Sequence, residues 1–131
     1  METIYHFLKD CQTFYLATAD GDQPRVRPFG AVCIYNGKLY ICANNQKLVS
    51  KQMKTNPKIE ISTASADGRW LRLTAETVTH DDRGARQAML DAYPNIQQMY
   101  KADDGFFEVY YLKNATGVIC SFDGKNEMHT F

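Results

Sequence analysis

The sequence predicts a single, mainly β domain: an antiparallel barrel of six or seven strands with three short helices at its periphery. Aromatic residues make up 12% of the 131 residues, and such side chains suit the pleated, half-buried surface of a sheet. Apolar runs of strand length follow one another through tight turns, which favours antiparallel pairing and closure into a barrel. The length fits one domain over residues 1–131.

The individual elements follow from hydrophobic spacing and from turn residues. The first helix rests on apolar residues at i, i+3, i+4 and i+7, which are Ile4, Phe7, Leu8 and Cys11. In chain order we predict a helix at 3–11, strands at 13–19, 25–35 and 38–43, a helix at 46–54, strands at 58–63 and 69–79, a helix capped by Asp82, and strands at 106–112 and 117–122.

The segment from Arg25 to Tyr35 is the least regular of the predicted strands. Pro28 cannot donate to a sheet ladder, and Gly30 indicates a bend or a close approach of the backbone to a ligand. The turn that follows is the clearest local signal, because Asn36-Gly37 between two apolar runs predicts a tight type I′ hairpin.

The second half of the chain is predicted from caps, breakers and alternation. Asn44 or Asn45 is expected to cap the helix at 46–54, and Asn56-Pro57 to end it. A turn at Asn114 separates the last two strands, and the polar tail after residue 122 is expected to be irregular. In strand 69–79 one face carries Trp70, Arg72 and Thr74, and the other carries Leu71, Leu73 and Ala75.

The cellular setting is predicted from what the sequence lacks. It begins without a basic start or an apolar run, so no signal peptide is expected, and no stretch has the length of a membrane span. The four cysteines form neither a C-x-x-C pair nor a disulfide framework. We therefore interpret them as thiols of a reducing compartment and expect a cytoplasmic protein. No metal-ligand spacing links the three histidines, so no metal site is predicted.

The charge distribution predicts a local anion site. The formal net charge is 0, yet the window 23–59 contains seven basic residues and no acidic one. A neutral protein with one acid-free segment favours a local anion site over a general polyanion-binding surface, although a solvated face with a chance gap gives the same pattern. The basic residues are Arg25, Arg27, Lys38, Lys47, Lys51, Lys54 and Lys58.

Within this window the hairpin places the strand that carries Arg25 and Arg27 beside the start of the helix at 46–54. A helix N-terminus offers free N–H groups and a partial positive charge to a phosphate, and Arg27 can bind phosphate oxygens through its planar fork. Lys47 in the first turn opposes the helix dipole, which makes sense if an anion binds there. Lys51 continues that face, for which a solvated lysine face is the alternative.

No motif of another catalytic class is present. The sequence has no G-x-G-x-x-G fingerprint and no P-loop. The acidic pairs at 81–82 and 103–104 resemble a helix cap and a turn. No residue identifies itself as catalytic, so redox chemistry would have to come from a bound cofactor. Trp70 is open to two interpretations, as a core residue or as the wall of a ligand site or subunit contact.

Six segments carry a further signal in their order and spacing. They are 14–19 (FYLATA), 23–30 (QPRVRPFG), 38–45 (KLYICANN) with Lys47, 56–60 (NPKIE), 68–73 (GRWLRL) and 103–109 (DDGFFEV). Together they resemble the pyridoxamine 5′-phosphate oxidase-like family of FMN-binding split-barrel proteins. The sequence is also similar to a nitroimidazole-reductase-like branch, in which some members carry a His where this chain has Cys42. The C-terminal Arg-x-His substrate motif of the oxidase is absent, so oxidation of pyridoxamine phosphate is not expected.

The resemblance implies a split β-barrel that works as a homodimer with FMN in the cleft between subunits. It implies that Arg27 binds the FMN phosphate, that the backbone of 28–30 lines the flavin ring, and that Trp70 lies near the subunit interface. The helix after the return strand is implied to approach the phosphate. The full set of candidate cofactor-binding residues is Arg25, Arg27, Pro28, Phe29, Gly30, Cys42, Asn44, Asn45, Lys47, Lys51 and Trp70.

The implied function is that of an FMN-dependent oxidoreductase, which passes electrons from a reduced donor such as NAD(P)H through FMN to a small acceptor. A non-enzymatic flavin-binding or flavin-storage module would share the same site, so the sequence leaves both open. A small nucleic-acid binder would use the same basic window, but the net charge of 0 disfavours it. Neither nucleic acid nor a membrane is expected as a partner.

Overall fold

The computed structural model describes residues 1–131 and confirms a mainly β architecture with peripheral helices. It contains eight strands, more than the six or seven predicted, and three α-helices. The elements are α1 (Glu2–Cys11), β1 (Phe14–Asp20), β2 (Gln23–Phe29), β3 (Val32–Tyr35), β4 (Lys38–Asn44), α2 (Leu48–Thr55), β5 (Lys58–Ala64), β6 (Trp70–His80), α3 (Arg83–Ala92), a 3₁₀ turn (Ile96–Gln98), β7 (Phe107–Cys120) and β8 (Glu127–Thr130).

All eight strands form one antiparallel sheet with the order β2-β1-β5-β6-β7-β4-β3, and β8 pairs with β7. β2 and β3 lie at opposite ends of this order, although only Gly30 and Ala31 separate them in the chain. The sheet must therefore curl until its two ends meet, joined by the chain and not by a hydrogen-bonded ladder. We call this junction between β2 and β3 the split.

Three predicted strand boundaries are wrong, for different reasons. The strand predicted over 25–35 is two strands, because Pro28 has no N–H for a ladder and the chain crosses the split at Gly30. The two strands predicted after residue 105 are one, β7, because Asn114 adopts a φ of 50° that asparagine tolerates and the strand continues through it. The tail is not irregular, since β8 pairs with Thr116–Ile119.

The predicted start of α2 is also wrong. The helix begins at Leu48, and Lys47 takes the N-cap position without a side-chain cap. Asn44 belongs to β4, where its Oδ1 accepts a hydrogen bond of 2.8 Å from the N–H of Gln46. The asparagine therefore closes the turn before the helix, as asparagine side chains commonly do, instead of capping the helix. Asn45 does not cap it either.

Other local predictions are confirmed. Asn36 and Gly37 have φ values of 48° and 72°, as a type I′ turn requires. Asp82 caps α3 by accepting from the N–H of Ala85 at 3.0 Å. One apolar cluster fills the barrel and includes the buried face of α1, and a second lies under α3. None of the helices is long and apolar enough to cross a bilayer.

Candidate functional site

The strands beside the split leave part of their backbone without a neighbouring strand. β4 pairs with β7 as far as Asn44, but β3 accompanies it only to Ile41, which faces Val32. Residues 42–44 therefore have a partner strand on one side only. β2 is likewise an edge strand that pairs with β1 alone. Backbone N–H and C=O groups along such an edge are free to bind a ligand.

A cavity of about 400 Å³ opens at the split. It lies between the end of β2, the edge of β4, the start of α2 and the segment after α3. Its lining is mostly apolar with a few polar groups, as in sites that bind flat organic ligands. Six of the candidate residues line it, namely Pro28, Phe29, Gly30, Cys42, Asn44 and Lys47.

Arg27 precedes the cavity-lining Pro28 and has only neutral partners. Its Nη1 donates to the carbonyl of Leu16 at 3.3 Å and to Thr18 Oγ1 at 2.7 Å. Its Nη2 donates to Gln52 Oε1 at 2.7 Å. Two of the five guanidinium N–H groups remain unused. Partial burial, and then the charge of Arg25, lowers the pKa of Arg27. A half-buried cation without a carboxylate favours binding of an external anion.

The N-terminus of α2 adds positive charge at the same cavity. Lys47 and Val49 line the cavity, and the exposed Lys47 forms no ion pair. The first N–H groups of a helix carry a partial positive charge, and here no side chain caps them. The contact with Gln52 places the Arg27 guanidinium against the middle of α2 and not at these first amides.

Five candidates do not line the cavity: Arg27, described above, and Arg25, Asn45, Lys51 and Trp70. Arg25 forms an exposed ion pair of 3.3 Å with Asp20. Asn45 donates its backbone N–H and its side-chain amide to the loop before β7, and Lys51 points to solvent from α2. Trp70 lies outside both core clusters, on the outer face of the sheet, with its ring 5.3 Å from that of Phe122.

The sequence analysis did not predict that the segment after α3 forms one wall of the cavity. The 3₁₀ turn there has no periodic pattern long enough to show what it packs against, and its apolar residues resemble a continuing helix. The hydroxyl of Tyr93 attaches the segment to β3, accepting from the N–H of Val32 at 3.1 Å and donating to its carbonyl at 3.2 Å. The missed residues are Tyr93, Asn95, Ile96, Met99, Tyr100 and, on β7, Phe107.

The thiol of Cys42 lines the cavity, and its surroundings do not activate it. Burial, and then the nearby Cys33, raises the pKa of Cys42 to about 12. A thiol with so high a pKa stays protonated at neutral pH, and the thiol is not the reactive form. All four cysteines are free, and no group of three or more potential ligands is arranged to hold a metal ion.

These features define a small split barrel with an apolar cleft flanked by cations that lack acidic partners. The model of the pyridoxamine 5′-phosphate oxidase family matches residues 1–113. The match covers most of the chain, and the chain therefore belongs to this family. No curated protein matches it.

Several solved structures are similar to this chain. A NimC/NimA family protein from Clostridium acetobutylicum is 51% identical, with a TM-score of 0.97 over 100% of this chain and 92% of that one. General Stress Protein 26 from Bacillus anthracis is 14% identical, with a TM-score of 0.75 over 98% and 97% of the two chains. A heme binding protein from Mycobacterium smegmatis is 17% identical, with a TM-score of 0.72 over 92% of this chain and 53% of that one. The last two show a shared fold alone.

Proposed function

We propose that the chain binds FMN at the split and passes electrons from a reduced donor such as NAD(P)H to a small acceptor. The observation that carries the proposal is the pair of cations without acidic partners, Arg27 and Lys47, beside an apolar cavity with an unpaired strand edge. FMN has the matching parts, a phosphate monoester and a flat ring with a polar rim. When bound, FMN supplies the redox chemistry, while the protein supplies binding, orientation and electrostatics.

The residues present fit such a ligand. The unused N–H groups of Arg27, against the middle of α2, and the ammonium of Lys47, at its start, are each donors that a phosphate can use. Gly30 supports a ring lying on the backbone: a Cβ added there would meet only the carbonyl oxygen of Gln12, at an ordinary 3.6 Å. The fold therefore does not require glycine at position 30, whereas a ligand packed on the backbone would.

The proposal includes a homodimer, because one sheet face exposes apolar side chains. Val26 and Met128 on this face are 67% and 66% exposed, and Phe122, which packs on Trp70, is 88% exposed. A second copy that presents the same face would bury all of them, as a twofold interface does. The holoprotein is expected to sediment as a dimer, and a strictly monomeric holoprotein would contradict this part of the proposal.

The absorption spectrum of the purified protein, with and without added FMN, tests the proposal. Flavin bands that follow the protein through gel filtration would support it. A colourless protein that does not respond to FMN, or one with the Soret band of a heme, would overturn it. Oxidation of NADH or NADPH with menadione or 4-nitrobenzoate as acceptor then separates an enzyme from a flavin-storage module, which would bind flavin without turnover.

A further inference from the structure

The hydroxyl hydrogen of Tyr100 is not used within the protein, as the contacts of Asn44 show. The N–H of Gln46 can only donate, so the Asn44 atom that it meets at 2.8 Å is Oδ1. Nδ2 of the same amide must then be the atom that faces the Tyr100 hydroxyl at 3.1 Å. An amide NH₂ can only donate, so the tyrosine oxygen is the acceptor, and its own hydrogen points elsewhere. It has no acceptor in the protein, and Tyr100 lines the cavity.

The other tyrosine of the cavity, Tyr93, differs in this respect. Its hydroxyl hydrogen is used on the Val32 carbonyl at 3.2 Å, and its oxygen accepts from the Val32 N–H and from Lys9. The Tyr100 ring is held by packing, with its centroid 5.4 Å from that of Phe107. Tyr100 therefore has an unused donor on a packed ring, whereas the hydroxyl of Tyr93 attaches its segment to β3.

We propose that the Tyr100 hydroxyl donates a hydrogen bond to a carbonyl oxygen on the rim of the flavin ring and raises the reduction potential of the flavin. The inference rests on the proposed function. The carbonyl oxygens of the ring are hydrogen-bond acceptors in both redox states, and reduction of the ring increases their electron density. A donor fixed at that rim stabilises reduced flavin more than oxidised flavin, and hydrogen bonding is one means by which proteins tune a cofactor.

The test is the midpoint potential of bound FMN in wild type and in Tyr100→Phe, measured by reductive titration against a reference dye. Loss of one hydrogen bond is expected to reduce the preference for reduced over oxidised FMN by about three- to tenfold. For a two-electron couple this lowers the potential by about 15 to 30 mV. The ratio of dissociation constants for reduced and oxidised FMN gives the same quantity without turnover.

Tyr93→Phe is the matched control, since it removes a hydroxyl from the same wall. It is expected to lower the urea midpoint of unfolding and leave the potential unchanged. If Tyr100→Phe folds and binds FMN at the wild-type potential, the inference about Tyr100 fails while the proposed function stands. If both variants lower the potential equally, the effect is general loosening of the wall and the inference also fails. If wild type binds no FMN, the proposed function itself fails.

Discussion

Two clefts of this molecule differ in whether the charged residues at or beside them have partners of opposite charge. In the polar cleft between β6, α3 and the start of β7, Arg86 pairs with Asp81 at 2.6 Å. At the same cleft, Glu108 pairs with Lys54 at 2.8 Å. At the split, Arg27 and Lys47 have no acidic partner. The charges of the polar cleft are therefore paired within the fold, whereas we propose that those at the split bind an anion from outside.

The largest expected effect is a loss of FMN affinity when Arg27, beside the split, is replaced. Arg27→Ala should weaken FMN binding by about 10- to 100-fold, as expected for losing charged hydrogen bonds to a phosphate. Arg83→Ala is the control, because Arg83 already pairs with Asp103 on the surface. Fluorescence titration of FMN measures both variants. Equal affinity in Arg27→Ala and wild type would remove Arg27 from the site.

Replacing a charged residue that pairs at the polar cleft should lower the stability of the fold instead of FMN affinity. Lys54→Met removes the cation from the half-buried Glu108, which also accepts from Tyr110 at 2.8 Å. The free energy of unfolding should fall by about 1 kcal/mol, with FMN affinity close to that of wild type. Urea denaturation checks the first point. A large loss of flavin with unchanged stability would reverse the roles that we assign to the two clefts.

This stability difference should depend on pH. Burial opposes ionisation of Glu108, but the hydrogen bonds from Lys54 and Tyr110 prevail, so the pKa of Glu108 lies below its usual value. A carboxyl with a lowered pKa stabilises the fold above its unfolded-state pKa, and this contribution is lost as the pH falls through the folded-state pKa. The difference between wild type and Lys54→Met should therefore be full at pH 7 and shrink toward pH 3. A difference that grows on acidification would contradict the assignment.

The smallest effect on the fold is expected at Gly30. Because a Cβ there meets no close atom and the backbone does not need glycine, Gly30→Ala should change the free energy of unfolding of the apoprotein by no more than about 0.5 kcal/mol. FMN binding should nevertheless weaken, since the methyl group would meet a ring packed on the backbone. Thermal unfolding checks the stability of the variant, and FMN titration of the same sample checks its affinity. Unchanged FMN affinity would place the ring away from Gly30.

The sequence predicts correctly the features that depend on a few neighbouring residues, such as turns and helix caps. Asn36-Gly37 is sufficient to predict the type I′ turn, and Asp82 is sufficient to predict the cap of α3. The acid-free window singles out Arg27 and Lys47 as candidates, because a missing residue type is visible without a structure. Tertiary contacts decide the rest. Nothing near Tyr100 in the sequence shows that its segment folds over the split.

Similar limits explain the errors in the elements. Asn114 has the composition of a turn, yet β7 continues through it because β6 pairs with β7 both before and after an irregularity at this point. Asn44 is a residue type typical of helix caps, yet the pairing of β4 with β7 keeps it in the strand, and its side chain closes the turn that follows it. In both places long-range sheet pairing outweighs a local preference.

The most direct test compares FMN with riboflavin, which differs from it by the phosphate alone, on wild type and on Arg27→Ala. Wild type should bind FMN at least about tenfold more tightly than riboflavin, and the ratio should fall toward one in the variant while riboflavin affinity changes little. Equal affinity of wild type for the two flavins would show that the unpaired cations at the split do not bind a phosphate.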